Sequence, residues 1–169
     1  MKHGRPAVQQ MRTIAGVLTL AAATWVAAIV FAPIAAQSGS AVVRSCAAAA
    51  YAAGSFVCHQ IPARSFHLAG GQLAVCGRCT GLYVSALLGG IVALLFWRRV
   101  KVADRSLLAV AAIPTALSWT LEHAGLAAQS NTIRALAALP LGFAAAWVVV
   151  GLLLEPRSDE RDQRAPSAV

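Results

Sequence analysis

Residues 79–97 read CTGLYVSALLGGIVALLFW, an apolar segment of 19 residues without a single charge. A helix needs about 20 predominantly apolar residues to cross the hydrocarbon core of a bilayer. Three further apolar blocks lie at residues 13–36, 107–121 and 133–154; the first two carry no charge and the last contains only Arg134. The block at 107–121 reaches spanning length only if its polar end, Glu122 and His123, is included. The sequence therefore predicts an all-α integral membrane protein, a bundle of four helices at about residues 13–36, 75–97, 106–123 and 132–154.

The composition of the whole chain agrees with this prediction. Of its 169 residues, 59% are hydrophobic and 12% are charged, and the mean hydropathy is +0.68. A soluble domain carries about 25% charged residues, so this chain has too little polar surface to face water on all sides. Its expected surroundings are therefore the lipid bilayer.

The basic residues fall into groups that indicate topology. The formal net charge is +8, and most Lys and Arg lie before the first predicted span, between the second and third, and after the fourth. Short cytoplasmic loops are enriched in Lys and Arg. The other segments contain no lysine and four arginines, namely Arg44, Arg64, Arg78 and Arg134. We therefore predict a multi-pass protein of the cell (inner or plasma) membrane with both termini in the cytoplasm. Interleaved aromatics or a known nucleic-acid module are missing from the sequence, so no nucleic-acid partner is expected.

These spans define the expected domain organisation. Residues 1–12 form a cytoplasmic N-terminus, residues 13–155 a single transmembrane domain, and residues 156–169 a polar, disordered cytoplasmic tail. The outer loop covers residues 37–74 and begins with an Ala-rich stretch that favours a short interfacial helix. The first apolar block exceeds the 7–15 residues of a signal-peptide core, which favours a retained anchor. A signal peptide cleaved near Ala36 is the alternative.

Cysteine and histidine gather where the second span begins. Cys58-His59-Gln60 is followed by Cys76-Gly77-Arg78-Cys79, so three sulfurs and an imidazole lie within 22 residues. Cys76 and Cys79 share one face of a helix, and the positive N-terminal end of that helix favours the thiolate form. Three cysteines and a histidine match tetrahedral zinc. We therefore predict a transition-metal site, zinc above all, formed by Cys58, Cys76, Cys79 and either His59 or His67.

Further polar residues arrive at the same end of the predicted bundle. The second span starts there, the third ends there, and the fourth starts there. Ionisable residues within membrane spans usually face the bundle interior or a cavity. The residues expected around the metal ligands are Arg64, His67, Arg78, Tyr83, Glu122, Asn131 and Arg134. A purely structural role stays open for Glu122, which would then only neutralise a neighbouring arginine.

Other functions for the cysteines stay open. In an oxidising compartment they can form structural disulfides, such as Cys46–Cys58 and Cys76–Cys79. Alternatively, Cys76 and Cys79 can cycle as the thiols of a membrane thiol–disulfide oxidoreductase or electron carrier, with Cys58 or a lipid quinone as partner. A channel or small transporter is a third class, although the inner halves of the spans carry almost no polar residues to line a path. Enzyme status and substrate are undecided, and a homo-oligomer is compatible with the sequence.

The same residues carry a resemblance to a known family. The segments CHQIPARSF (58–66) and VCGRCTGLY (75–83), with Gly71 between them, resemble the signature of small prokaryotic membrane proteins grouped as domain of unknown function 2085. Pro114 and SNTIR (130–134) extend the resemblance, which covers roughly residues 55–150. It implies a membrane fold with a site at these residues, suggests a bacterial source, and brings no established activity.

Two positions depart from the family pattern. The family places an Asp-Gly pair about four residues after the proline of its third helix, where this chain has Ser118-Trp119. Glu122, one helical turn later on the same face, is the residue that can take over the role of that carboxylate. Cys46 lies outside the family pattern, which argues against the Cys46–Cys58 disulfide.

Overall fold

The computed structural model describes residues 4–96 and 105–154. Five α-helices form within these ranges: α1 (Gly4–Ala35), α2 (Ala41–Val57), α3 (Gly77–Leu95), α4 (Arg105–His123) and α5 (Asn131–Leu154). Between α2 and α3 lie a 3₁₀ turn and the two strands of a short hairpin: Pro62–Arg64, β1 (His67–Leu68) and β2 (Gly71–Gln72). Three predicted segments lie at least partly outside the described residues, namely the N-terminus, the basic loop after the second span and the tail at 156–169.

The all-α prediction is confirmed. α3, α4 and α5 begin and end within about two residues of the predicted segments, whereas α1 begins nine residues before the predicted first span. Within the described ranges, three helices are long and apolar enough to cross a membrane: Gln9–Ala35, Gly77–Leu95 and Asn131–Leu154. The helix α4 is not among them, because Ser118, Glu122 and His123 make its C-terminal turns polar. A membrane location is therefore supported, while membrane crossing by α4 and the outer position of the 37–74 segment stay predictions. The additional helix α2 occupies the Ala-rich stretch for which the sequence favoured a short helix.

Small residues let α3 and α5 pack backbone to backbone. A Cβ added at Gly81 would collide with the carbonyl of Ala135, and one at Gly89 would collide with that of Phe143. From the opposite side, Gly142 of α5 faces the carbonyl of Leu82. Helices in membranes associate through such small residues because lipid offers no hydrophobic drive between them. This close pair forms the centre of the molecule, and α4 packs on α5.

The hairpin holds the segment before α3 against the end of α1. β1 pairs antiparallel with β2, and the two residues of its turn, Ala69 and Gly70, both have positive φ, as a tight two-residue hairpin requires. The Gln37 side chain donates a 2.7 Å hydrogen bond to the carbonyl of Ala69. Gly71 lies so close to Pro33 that an added Cβ would stand 2.9 Å from its ring. The hairpin is therefore fixed to α1 at both its tip and its second strand.

Two buried clusters mark the ends of the helix bundle. Ala15 of α1, Ala93 of α3 and Val150 of α5 meet at one end. At the other end, Ile29 of α1 packs with Val75, just before α3, and both are fully buried. The second cluster contains a cysteine, and the candidate site is built on it.

Candidate metal centre

Three of the four cysteines come together at the start of α3. Cys58 follows the last residue of α2, Cys76 is the residue before α3, and Cys79 lies in the first turn of α3. Their three Sγ atoms all lie within 4.8 Å of one another. We call this group the sulfur cluster. It joins two segments that are 18 residues apart in the chain, with the hairpin between them.

Backbone amides point at the Cys58 sulfur. The N–H of Cys76 donates to Cys58 Sγ at 3.2 Å, and the N–H of Gln60 donates to the same atom at 3.5 Å. Hydrogen bonds to a ligating sulfur orient it and tune the charge of the site. The Cys58 sulfur therefore accepts two backbone hydrogen bonds, which fix its position in the cluster.

Apolar side chains enclose the cluster. Cys58 is 8% exposed and packs with Ile29, Leu73 and Val75. Tyr83, one turn beyond Cys79, packs against this group. Its ring meets that of Trp25 edge to face at a centroid distance of 5.9 Å. The sulfurs therefore lie largely shielded from solvent, where a negative charge is stabilised only by close partners.

Cys76 precedes the candidate span Gly77–Leu95, and its thiol is polarised toward the charged form. Hydrogen bonding from the Cys79 thiol lowers the pKa of Cys76 below its ordinary value, and burial opposes that shift. Further lowering of the pKa comes from the Cys58 thiol and from backbone hydrogen bonds. The cluster therefore already favours at least one thiolate.

Gln60 fastens the two halves of the cluster to each other. Its side-chain amide donates to the carbonyl of Tyr51 in α2 at 2.7 Å and to that of Ala74 at 2.8 Å. The backbone carbonyl of Gln60 accepts a hydrogen bond of 3.2 Å from the Gln72 side chain. The residue adopts φ 50°, a left-handed conformation that is uncommon outside glycine. Gly54 leaves the room for this clamp, since a Cβ there would meet the Ala74 carbonyl and the Gln60 amide.

The histidines proposed as ligands lie apart from the sulfur cluster. The side chains of His59 and His67 are both exposed, and neither belongs to the group within 4.8 Å. Adjacent residues in an extended segment point to opposite sides, which explains why His59 turns away where Cys58 turns in. Cys46 is also exposed in α2, and all four cysteines are free thiols. Which ligands hold a metal stays a prediction.

Beside the cluster, one carboxylate binds three arginines. Arg134 of α5 holds Glu122 of α4 with two nitrogens, Nη2 to Oε1 at 2.8 Å and Nε to Oε2 at 3.1 Å. Arg78 of α3 and Arg64 of the 3₁₀ turn each reach it at 3.2 Å. We call these four residues the arginine network. Bidentate contacts between guanidinium and carboxylate are the strong, geometrically specific kind.

Neutral side chains extend the network on both sides. Asn131 accepts a 2.7 Å bond from Arg134 and donates one of 2.9 Å to the carbonyl of Ser65, which is fully buried. Ser118 accepts a bond of 3.3 Å from Arg78 and donates to the side chain of Gln129. The structure thus joins five of the seven residues that the sequence placed around the metal: Arg64, Arg78, Glu122, Asn131 and Arg134.

Some functional residues were not apparent from the sequence. Hydrogen bonds to groups that are distant in the chain hold the site together at Gln60, Ser65 and Gln129. No local sequence pattern predicts such bonds. The one available signal was the position of Gln60 directly after Cys58-His59 within the quoted motif. Ser118, at the position where the resemblance implied an aspartate, accepts a hydrogen bond from Arg78, and Glu122 accepts one from the same nitrogen.

Comparison with known proteins agrees with the resemblance. Residues 58–148 match the family described as "Predicted membrane protein (DUF2085)". An uncharacterized protein of Methanocaldococcus jannaschii is 33% identical over 108 residues, which are 62% of this chain and 69% of that protein. An uncharacterized protein of Methanothermobacter thermautotrophicus is 31% identical over 87 residues, 52% of this chain and 78% of that protein. No solved structure matches the chain.

Both relatives come from archaea, so they give no support to a bacterial source. The family match begins at Cys58 and leaves α1, α2 and Cys46 outside it. It includes the three clustered cysteines and the whole arginine network. Because the match covers more than half of the sequence, the chain belongs to the DUF2085 family of predicted membrane proteins.

Proposed function

We propose that this membrane protein binds a zinc ion through the thiolates of Cys58, Cys76 and Cys79. The observation that supports this best is the meeting of three sulfurs within 4.8 Å. Thiolates are soft ligands that favour zinc over magnesium or calcium. The lowered pKa of Cys76 favours a negative charge on one ligand, and two backbone amides hold the Cys58 sulfur in place.

The spacing of the sulfurs suits this ion. Tetrahedral zinc with bonds of about 2.3 Å to sulfur places its sulfur ligands roughly 3.8 Å apart. The sulfur atoms need to approach by about 1 Å at most, which side-chain rotations at Cys76 and Cys79 can provide. The fourth position falls to an imidazole, His59 or His67, or to a water molecule. A structural site has four protein ligands, whereas an open fourth position is typical of catalytic zinc.

In this proposal the zinc ion clips the end of α2 to the start of α3. The intervening hairpin has two strands of two residues each, and metal binding would add folding free energy to so short an element. We further propose that four helices cross the cell membrane, with both termini in the cytoplasm and the site on the outer side. The charge distribution supports this orientation, since the basic groups accumulate outside the 37–74 segment.

Elemental analysis of the purified protein tests the zinc proposal. We expect about one zinc per chain in the wild type, and a loss of most of it in Cys58→Ser and Cys76→Ser because each variant lacks one ligand. The exposed Cys46 is the matched control, so Cys46→Ser retains its zinc. A stable wild-type protein without metal would contradict the proposal, and so would an equal loss in Cys46→Ser.

A variant of His59 decides the nature of the fourth ligand. If His59 supplies the nitrogen, His59→Ala weakens zinc binding by at least tenfold, while His67→Ala leaves it unchanged. The reverse result assigns the position to His67. Unchanged binding in both variants indicates a zinc ion with a water molecule in the fourth position, which a substrate can displace.

A dithiol function is the second candidate, supported by the position of Cys76 and Cys79 at a helix start. In that case the two thiols form a disulfide, and their two electrons and two protons pass to a lipid quinone, which becomes the quinol. Alkylation followed by mass spectrometry, with and without reductant, separates the candidates. A reducible Cys76–Cys79 bridge favours the dithiol, and thiols protected until a chelator is added favour zinc.

A further inference from the structure

The arginine network carries more positive than negative charge. Glu122 is the only acidic residue within the ranges 4–96 and 105–154. It binds Arg64, Arg78 and Arg134, so these four residues carry a net charge of +2. The side chain of Arg64 is 51% exposed and water screens its charge, so Arg78 and Arg134 together leave one positive charge in excess inside the bundle. The side chain of Arg134 is 10% exposed, and that of Arg78 is 20% exposed. Charges in such surroundings normally have counter-charges, which predicts an anion that comes from outside the chain.

One donor of the network is unused. The Nε atom of Arg78 is buried and has no hydrogen-bond partner among the residues that the structure describes. A buried donor without an acceptor is costly, and native proteins rarely leave one. The Nη2 atom of the same guanidinium already donates hydrogen bonds to both Glu122 and Ser118. The unused donor therefore offers a place for an acceptor oxygen of a ligand.

An apolar groove runs down the bundle between α3, α4 and α5. It has a volume of about 970 Å³. Its walls include Ser85 and Leu88 of α3, Val110 and Pro114 of α4, and Phe143 and Trp147 of α5. No charged side chain lines it, and several wall residues, such as Val110 at 61%, are exposed to the outside of the bundle. This groove has the shape and polarity that suit a hydrocarbon chain.

The groove lies in line with the arginine network. Two of its wall residues lie near the network along their helices. Ser85 lies seven positions after Arg78 in α3, and Pro114 lies four positions before Ser118 in α4. At 1.5 Å per residue, the two features are separated by about 6–10 Å along the bundle. The headgroup region of a bilayer is about 5–7 Å thick on each side. The distance between the arginine network and the groove is therefore similar to the distance between the headgroup and the acyl chains of a phospholipid.

We propose that the arginine network and the groove together bind one anionic phospholipid. Its phosphate lies at the guanidiniums of Arg78 and Arg134, where an oxygen accepts the unused Arg78 donor. An acyl chain fills the groove between α3, α4 and α5. The excess positive charge of Arg78 and Arg134 selects an anionic lipid over a zwitterionic one, because a choline group would bring a further positive charge. This site is distinct from the zinc site, so either can exist without the other.

Native mass spectrometry of the full chain in detergent tests the lipid proposal. The protein is mixed with equal amounts of phosphatidylglycerol and phosphatidylcholine that carry identical acyl chains. We expect phosphatidylglycerol to be bound about tenfold better or more, from two charges near the headgroup. Ser118→Asp places a second carboxylate beside Arg78 and lowers this preference by roughly fivefold. Arg44→Gln removes an arginine outside the network and leaves the preference unchanged.

A second pair of variants examines the groove. Val110→Trp puts a large side chain into the groove and lowers the occupancy of phosphatidylglycerol. Ile113→Trp changes an exposed residue of the same helix that does not line the groove, and it leaves the occupancy unchanged. Circular dichroism and elution volume check that each variant is folded.

Several results would overturn the lipid proposal. Equal binding of the two lipids would show that the network selects no headgroup. Displacement of the lipid by inorganic phosphate alone would indicate a site for a free anion. Full binding to Val110→Trp would exclude the groove, and a dimer that covers the groove would make a second copy its occupant.

Discussion

Arg134 approaches Glu122 with two nitrogens, while Arg64 and Arg78 each add one contact. Four elements of the chain therefore meet at a single carboxylate, from α3, α4, α5 and the 3₁₀ turn. The side chain of Glu122 is 9% exposed, so solvent screens these interactions only weakly. Removing the carboxylate would leave buried like charges facing one another, which costs far more than the loss of a surface ion pair.

Replacement of this carboxylate should destabilise the protein strongly. We expect Glu122→Gln to lower the free energy of unfolding by about 3 kcal/mol, since it leaves a buried arginine without its counter-charge. The measurement is thermal unfolding in detergent, followed by circular dichroism. Thr120→Ala, at an exposed position of the same helix, serves as the control. A loss in Glu122→Gln no larger than in that control would contradict the buried-network interpretation.

The pair formed by α3 and α5 depends on glycine at its closest points. α3 follows directly on Cys76 and carries Arg78 and Cys79, so its position sets both the sulfur cluster and the arginine network. Gly77 lies against the first residue of α5, where an added Cβ would stand 2.8 Å from the Asn131 carbonyl. The packing of these two helices therefore holds Asn131 and Arg134 beside the start of α3.

Widening this helix pair should weaken the fold. In Gly81→Leu the new side chain meets the backbone of Ala135, which cannot move aside, and we expect a loss of about 2–3 kcal/mol. Gly16→Leu in α1 is the matched control, because nothing lies within 4 Å of that position. Unfolding in increasing SDS provides the measurement. Equal stability of the two variants would mean that α3 and α5 do not pack as closely as described.

For the molecule as a whole, the number of membrane crossings decides where the site faces. In the part of the chain that the structure describes, three helices have the length and hydropathy of spans, and the predicted fourth span, α4, ends at the arginine network. If α4 crosses the membrane, the polar side chains of its last turns form hydrogen bonds with the arginines and do not face lipid. Ionisable residues in membrane spans are tolerated in this way. Four crossings place both termini on one side, and three place them on opposite sides.

Labelling of cysteines in intact cells distinguishes these topologies. We expect a membrane-impermeant maleimide to modify Cys46, which is exposed in α2 and predicted to lie outside. A cysteine introduced in the tail by Ser158→Cys, in a Cys46→Ser background, should react only after the cells are permeabilised. Reaction of Ser158→Cys in intact cells would contradict cytoplasmic placement of the tail.

The sequence predicted the parts of this molecule that depend on local pattern. Uncharged runs marked α3, α4 and α5 to within a few residues, while α1 begins nine residues before its run. The spacing of Cys76 and Cys79 predicted that the two share a face at the start of α3. The alternation of predicted spans also brought Arg78, Glu122 and Arg134 to one end. The hydrogen bonds of Gln60 could not be predicted from the sequence, because their acceptors, the carbonyls of Tyr51 and Ala74, are distant in the chain. The left-handed backbone of Gln60 was not predicted either. The exposure of His59 could not be predicted either, because the sequence shows which residues could bind a metal but does not show where their side chains point.

X-ray absorption at the zinc edge of the purified, detergent-solubilised protein tests the three-sulfur zinc site most directly. We predict three sulfur neighbours at about 2.3 Å and one nitrogen or oxygen neighbour at about 2.0–2.1 Å. The Cys46→Ser protein should give the same spectrum, because that cysteine lies outside the cluster. A metal-free protein, or a first shell made only of nitrogen and oxygen, would contradict binding by Cys58, Cys76 and Cys79.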